Sequence, residues 1–165
     1  MPGDDELLVR ARAAAELARG YREAGDVELA GYVYAHSLEW GETPEARSGL
    51  AWTYAYAGKL EEAARECRKA IALDPEDGRA SNDLGVYLMQ QGQDEEAITH
   101  LLQAVQSRWN PDRHFPWYNL GRIHERRQEL GEAASAYEAA LSELPSFDAA
   151  RKALDRIERK LGKTS

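Results

Sequence analysis

The sequence predicts an all-α fold, an array of about four helix-turn-helix repeats closed by a C-terminal capping helix, and three observations predict it. First, four segments share one pattern: a leucine followed by a small residue, at Leu17-Ala18, Leu50-Ala51, Leu84-Gly85 and Leu120-Gly121, with spacings of 33, 34 and 36. A period of that size is the mark of a solenoid built from repeated supersecondary units. Second, each segment carries a later pair four residues apart, Ala30/Tyr34, Ala63/Cys67, Ala97/Leu101 and Ala133/Tyr137. Four residues is one helical turn, so each pair lies on one face of a second helix. Third, Gly25, Gly58 and Gly92 stand between the two halves, where a tight turn takes a residue at positive φ.

The elements follow in order. Residues Asp4 to Arg10 extend the first helix or cap that end. The first repeat covers about 11–43 and lacks a closing proline. The second covers about 44–77; Thr43-Pro44 opens it as an N-cap followed by proline at the first helical position, and Pro75 ends it. The third covers about 78–113 and the fourth about 114–147, closed by Pro111 and Pro145. In the fourth, Gln128 replaces the turn glycine, so the turn is expected to be looser or shifted toward Gly131. From about 148 to 161, Ala150, Leu154, Ile157 and Leu161 recur at helical spacing with Arg and Lys between them. Such an amphipathic helix is the expected cap of a repeat array, whose last unit otherwise exposes an apolar face. Residues 1–165 are read as a single domain.

Charge narrows the function. The net charge is −8. An acidic chain argues against a nucleic-acid partner, which needs a clustered positive surface. Cys67 is the one cysteine, so no intramolecular disulfide forms, as in a reducing compartment. The N-terminal MPGDDELLVR is acidic where a secretory signal is basic, and no apolar run approaches a membrane span. The expectation is a cytoplasmic protein without membrane insertion.

No catalytic, metal or cofactor site is expected. The four histidines, His36, His100, His114 and His124, form no pair at helical spacing, and no phosphate-binding glycine motif occurs. Paired carboxylates on this background are solvated helix faces. His124 is expected to be a hydrogen-bonded core histidine.

The pattern Trp117-x2-Leu120-Gly121-x2-His124, then Ala133-x3-Tyr137, then Pro145, resembles the tetratricopeptide repeat (TPR) signature, with His124 in place of its usual Tyr. The resemblance covers about 11–147 in four units. It implies a right-handed superhelix of about nine helices whose first helices line a concave groove. By family position, Trp117 is core and Pro116 belongs to the first turn of its helix. Trp109 lies in a two-residue insertion, and either folds over a helix end or forms an aromatic lip.

Carrying the groove positions over residue by residue gives ten basic and five acidic side chains, against a chain that is acidic overall. The candidate partner-binding residues are Trp52, Tyr56, Met89, Phe115, Tyr118, Asn119, Arg122, Arg126 and Arg156. Arginine forks onto carboxylates, aromatic side chains anchor interfaces and Met packs adaptably. The implied function is an adaptor or scaffold that holds a protein or peptide segment with apolar anchors and acidic flanks, most simply as a monomer. The carboxylate clamp of one TPR subclass does not fit, since Arg79 alone matches in type and Asp83 repels a carboxylate. The resemblance also extends to bacterial secretion chaperones that hold an aggregation-prone client, and an oligomerisation module is a third reading.

Overall fold

The computed structural model describes residues 3–162. These form nine α-helices and no strand. They group into two compact units, the first ending at Glu76 and the second beginning at Asp77.

The first unit holds α1 (Asp4–Glu23), α2 (Val27–Ser37), α3 (Pro44–Tyr56) and α4 (Leu60–Leu73). Helix α1 starts at Asp4, so Asp4 to Arg10 are its first turns. It packs through Ala11, Ala15 and Ala18, a stripe of small side chains at helical spacing. Leu17 sits one position off that stripe and is 54% exposed, which corrects the expectation that it anchors the first repeat. One residue along a helix is a turn of about 100°, enough to carry the side chain away from α2 and α3. Thr43 caps α3, its Oγ1 accepting from the Ala46 amide at 3.2 Å, and Pro44 follows at the first helical position as expected.

The second unit holds α5 (Gly78–Gln90), α6 (Asp94–Gln106), α7 (His114–Arg126), α8 (Leu130–Glu143) and α9 (Asp148–Lys160). Within each unit a helix packs on its neighbours in sequence, and the first helix of one repeat also meets the first helix of the next. The crossing residues lie where the pattern places them. Ala30, Ala63, Ala97 and Ala133 are fully buried, as are Cys67, Leu101 and Tyr137, with Tyr34 close to it. Helix α9 covers α8 with Ala150, Ala153, Leu154 and Ile157, while Leu161 falls at its exposed end and does not join the expected stripe. Burying an aliphatic side chain of this size is worth about 1.5–3 kcal/mol, so Leu154 and Ile157 hold the last helix in place.

The turns share one geometry. Gly25, Gly58 and Gly92 have φ between 75° and 84°, and Gln128 in the fourth turn has φ 62°. The turn is therefore neither looser nor shifted: the Gln128 amide donates to the Glu125 carbonyl and the Glu129 amide to the His124 carbonyl, both at 3.0 Å, the same closure as at the glycine turns. A side chain in this left-handed region costs about 1–2 kcal/mol, which glycine avoids at some cost in unfolded-state entropy. Gln128→Gly is expected to stabilise the protein by about 0.5–1 kcal/mol. Urea denaturation measures it, and unchanged or lower stability would contradict it.

The joint before α7 explains the longer spacing of 36. The Gly78 amide donates to the Trp109 carbonyl at 3.0 Å, and the buried Asn110 side chain donates to the Ala104 carbonyl at 2.9 Å. The Arg113 guanidinium donates to the Ser107 carbonyl at 2.8 Å. Trp109 does fold over a helix end, the start of α5, with the Arg79 guanidinium 4.3 Å from its ring centre, and its outer half meets solvent. Pro116 lies in the first turn of α7, as expected. Trp117 is only partly buried, so it is a flank of the core and not its centre.

Candidate functional site

In the first unit, Trp52 and Tyr56 stand one turn apart on α3, rings 5.6 Å apart. The Arg22 guanidinium lies 5.6 Å above Trp52, and Tyr56 is 71% exposed. These three make a small cationic and aromatic patch. Arg19 nearby is occupied by Glu16 at 2.6 Å and by Glu23 at 3.8 Å.

In the second unit, α5 and α7 present a continuous polar ladder. The Arg122 guanidinium donates to Asn119 Oδ1 (3.4 Å), Asn119 Nδ2 donates to Asn82 Oδ1 (3.2 Å), and Asn82 Nδ2 donates to Asp83 Oδ1 (3.4 Å). The chain of dipoles runs from a cation to an anion, so each bond polarises the next. Asn119 is itself buried, which fixes the ladder between the helices. Arg122 is exposed and lies 6.0 Å over the Tyr118 ring.

Beside the ladder is an aromatic cluster of which the sequence singles out Phe115 and Tyr118 but not Phe147 or His114. Phe147, at the start of α9, gathers His114, Phe115 and Tyr118 with ring centres 4.9, 5.6 and 5.2 Å away. Phe115 is 44% exposed and borders a cavity of about 200 Å³ with Arg79, Asn82, Asp83, Asn110 and Asp112. Phe147 and His114 carry no repeat signature; their one signal in the sequence is that each lies two residues from a proline, Pro145 and Pro116.

Three of the expected groove residues are engaged otherwise. Met89 is buried at 4% exposure and offers no side chain to a partner. Arg126 pairs with Asp94 and donates to the Met89 carbonyl at 3.4 Å. Arg127 beside it pairs with Glu95 at 2.6 Å, so the C-terminal end of α7 is tied to the first turn of α6. Arg156 forks onto Glu125 at 2.8 and 2.7 Å. Lys160 approaches the same carboxylate at 3.5 Å, and the Tyr137 hydroxyl donates to it at 2.9 Å. Asp94 of α6 and Glu125 of α7 thus offset part of the positive charge expected in this unit.

The Arg156 fork holds the Glu125 carboxyl down at about 2, outweighing its partial burial, and the Tyr137 hydroxyl lowers it further. Burial pushes the Tyr137 hydroxyl up, and the Glu125 charge adds to that. The carboxyl is lower in the folded protein than in the unfolded chain, so its contribution is present above about pH 4.5 and is lost as pH falls toward 2. After allowance for solvent around the half-exposed Arg156, this knot is worth about 1–2 kcal/mol at neutral pH. Glu125→Gln is expected to lower stability by that amount at pH 7 and by much less at pH 2.5. Denaturation of both proteins at the two values checks it, and a pH-independent difference would contradict it.

His124 is hydrogen-bonded, Nδ1 to Glu129 Oε2 at 2.6 Å. Among the described residues no group of three or more His, Cys, Asp or Glu side chains is arranged to hold a metal. No helix among them is long and apolar enough to cross a membrane.

Comparison with known proteins agrees with the repeat geometry. Tetratricopeptide repeat family models match residues 48–113 and 114–147. The chain is 30% identical over 127 residues to the type IV pilus assembly protein PilF of Pseudomonas aeruginosa, a match covering 76% of this chain and 50% of that protein. It therefore spans about half the length of that relative. A solved PilF structure superposes with a TM-score of 0.88 at 26% identity, covering 98% of this chain and 72% of that one. PilW, a type IV pilus biogenesis factor, gives 0.83 at 21% identity over 93% and 70% of the two chains. YrrB, a TPR protein with an unusual peptide-binding site, gives 0.72 at 19% identity over 87% and 73%. With nine helices in the expected order and the repeat signature at each crossing, the chain belongs to the tetratricopeptide repeat family.

Proposed function

We propose that this protein is a non-enzymatic adaptor that holds a segment of another protein against the face formed by α5 and α7. Family and fold support a protein-protein interaction role in general. The observation that carries the finer reading is the Asn82–Asn119–Arg122 ladder lying beside exposed Phe115. Amide side chains fixed by one another suit a peptide backbone, Arg122 suits a carboxylate, and Phe115 with Tyr118 suits an apolar anchor. The Arg22–Trp52–Tyr56 patch on the first unit is a second contact of the same chemistry. The similarity to PilF, an assembly protein, supports a partner that belongs to a larger assembly.

The test is capture from a lysate of the source cell with wild type, Arg122→Glu and Trp52→Ala, each shown to be folded by circular dichroism. Proteins retained by wild type and lost by Arg122→Glu are expected. Identical sets from all three would remove this face as the working surface.

A further inference from the structure

A second surface of the C-terminal unit has the form of a binding groove and is unrelated to the ladder. Helices α6 and α8 wall an open apolar channel of about 820 Å³ whose floor is Trp117, Leu120 and His124 of α7. Ile98 and Leu102 form one wall, and Leu102 is 39% exposed. The other wall is Gly131, Ser135 and Ala139, spaced four apart on one face of α8. Small residues at that spacing let another backbone approach closely, along about 12 Å of wall. The volume falls in the range of built ligand sites, about 300–1,000 Å³.

The lining decides the backbone form of the occupant. Two of its polar groups are already used: His124 Nδ1 bonds to Glu129, and the Ser135 hydroxyl donates to the Gly131 carbonyl at 3.1 Å. No sheet edge is available, since the described residues contain no strand. A helix suits such a channel, because its backbone already satisfies its own hydrogen bonds and it offers one apolar face to the floor.

The rim decides the charge. Helices α6 and α8 carry Asp94, Glu95, Glu96, Glu132, Glu138 and Glu143 and no Lys or Arg. Asp94 and Glu95 are taken by Arg126 and Arg127 at one end. Glu132, which lines the channel, makes no ion pair among the described residues, and neither do Glu138 and Glu143 farther along α8. On the α6 side Glu96 also has a partner in His100, so the unpaired carboxylates stand along α8, and an apolar floor with one acidic edge is complementary to an apolar stripe with one basic flank.

We propose that the α6–α8 channel binds an amphipathic helix of a partner protein, with Leu-type side chains over Trp117 and Lys or Arg along the edge that meets α8. The probe is a fluorescein-labelled peptide of about 18 residues, long enough for five helical turns. It contains only leucine and lysine, with leucines at i, i+3, i+4 and i+7. A leucine-glutamate peptide of the same pattern is the control. Anisotropy titrations use the full chain, Ser135→Arg, which fills the channel with a like charge, and Leu102→Lys, which removes part of the other wall. Both positions are at the surface, and circular dichroism confirms folding. Expected is saturable binding of the leucine-lysine peptide, weakened about tenfold or more in each variant and in the leucine-glutamate control, about 1.4 kcal/mol per tenfold step. Absence of binding, equal binding by both peptides, or equal binding by wild type and both variants would overturn the proposal. So would a wild-type dimer, seen by sedimentation, that Ser135→Arg dissociates, since a second copy would then cover the channel.

Discussion

Tyr137→Ala is expected to lower the unfolding free energy by about 3–5 kcal/mol, the range for truncating a fully buried aromatic side chain. Tyr137 is the largest side chain in the protein without solvent exposure. Its ring sits between Gly121 of α7 and the apolar face that α9 lays over α8, with the Tyr118 ring 5.6 Å away. Its hydroxyl reaches Glu125, which also holds Arg156 of α9. Truncation therefore opens a cavity where three helices meet and removes a charge-assisted hydrogen bond. Tyr137→Phe separates the two effects, since it keeps the ring and costs about 1.5–2 kcal/mol for the hydroxyl alone. Trp117→Ala is the comparison. Trp117 is partly buried, and one side of it faces the α6–α8 channel, so its loss is expected to cost less than that of Tyr137 despite the larger ring. Urea melts of the three variants decide this. A Trp117→Ala penalty equal to or above that of Tyr137→Ala would show that the ranking by burial is wrong.

That comparison also shows what the sequence makes legible. Tyr137 is found by its place four residues after Ala133, because helical period alone puts both on the buried face. The same reasoning located every crossing alanine and the cap residues Ala150, Leu154 and Ile157. Periodicity reports which face of a helix is buried, but not how far a neighbour covers it. Leu17 fits the repeat pattern and is exposed, because no described helix packs on that side of α1. Trp117 fits as well and forms the floor of a channel, because α6 and α8 leave space over it.

The candidate binding residues show a second limit. Repeat position places Arg126 and Arg156 on an open face, but their partners Asp94 and Glu125 lie 32 and 31 residues away. Pairing at that range depends on which helix ends meet, and no local pattern carries it. Local pairs such as Arg19 with Glu16 follow from spacing alone, since residues three apart share a helix surface. Arg122 remained on the surface because its partner, Asn119, is an amide on its own helix and leaves the charge uncompensated.

Gly121→Ala is expected to cost about 2 kcal/mol although alanine is the better helix former. Gly121 lies within α7, where the exchange should gain about 1 kcal/mol from helix propensity alone. The added Cβ would stand 2.5 Å from Tyr137 Cε1 and 2.7 Å from Cδ1. The ring has no room to retreat, being fully buried with its hydroxyl held by Glu125, so the helices must part. Overpacking of this kind costs about 1–3 kcal/mol; with a ring that cannot retreat it reaches about 3 kcal/mol, the top of that range, and so leaves a net cost of about 2 kcal/mol after the propensity gain. The same methyl group should become harmless once the ring is gone. In a Tyr137→Ala background, Gly121→Ala is expected to be neutral or stabilising, because it fills part of the cavity and keeps its helix propensity. The double-mutant cycle thus predicts a coupling of about 2–3 kcal/mol between the two positions. Additive effects would mean that the ring does not rest on Gly121, and that the close α7–α8 crossing is not what requires a glycine there.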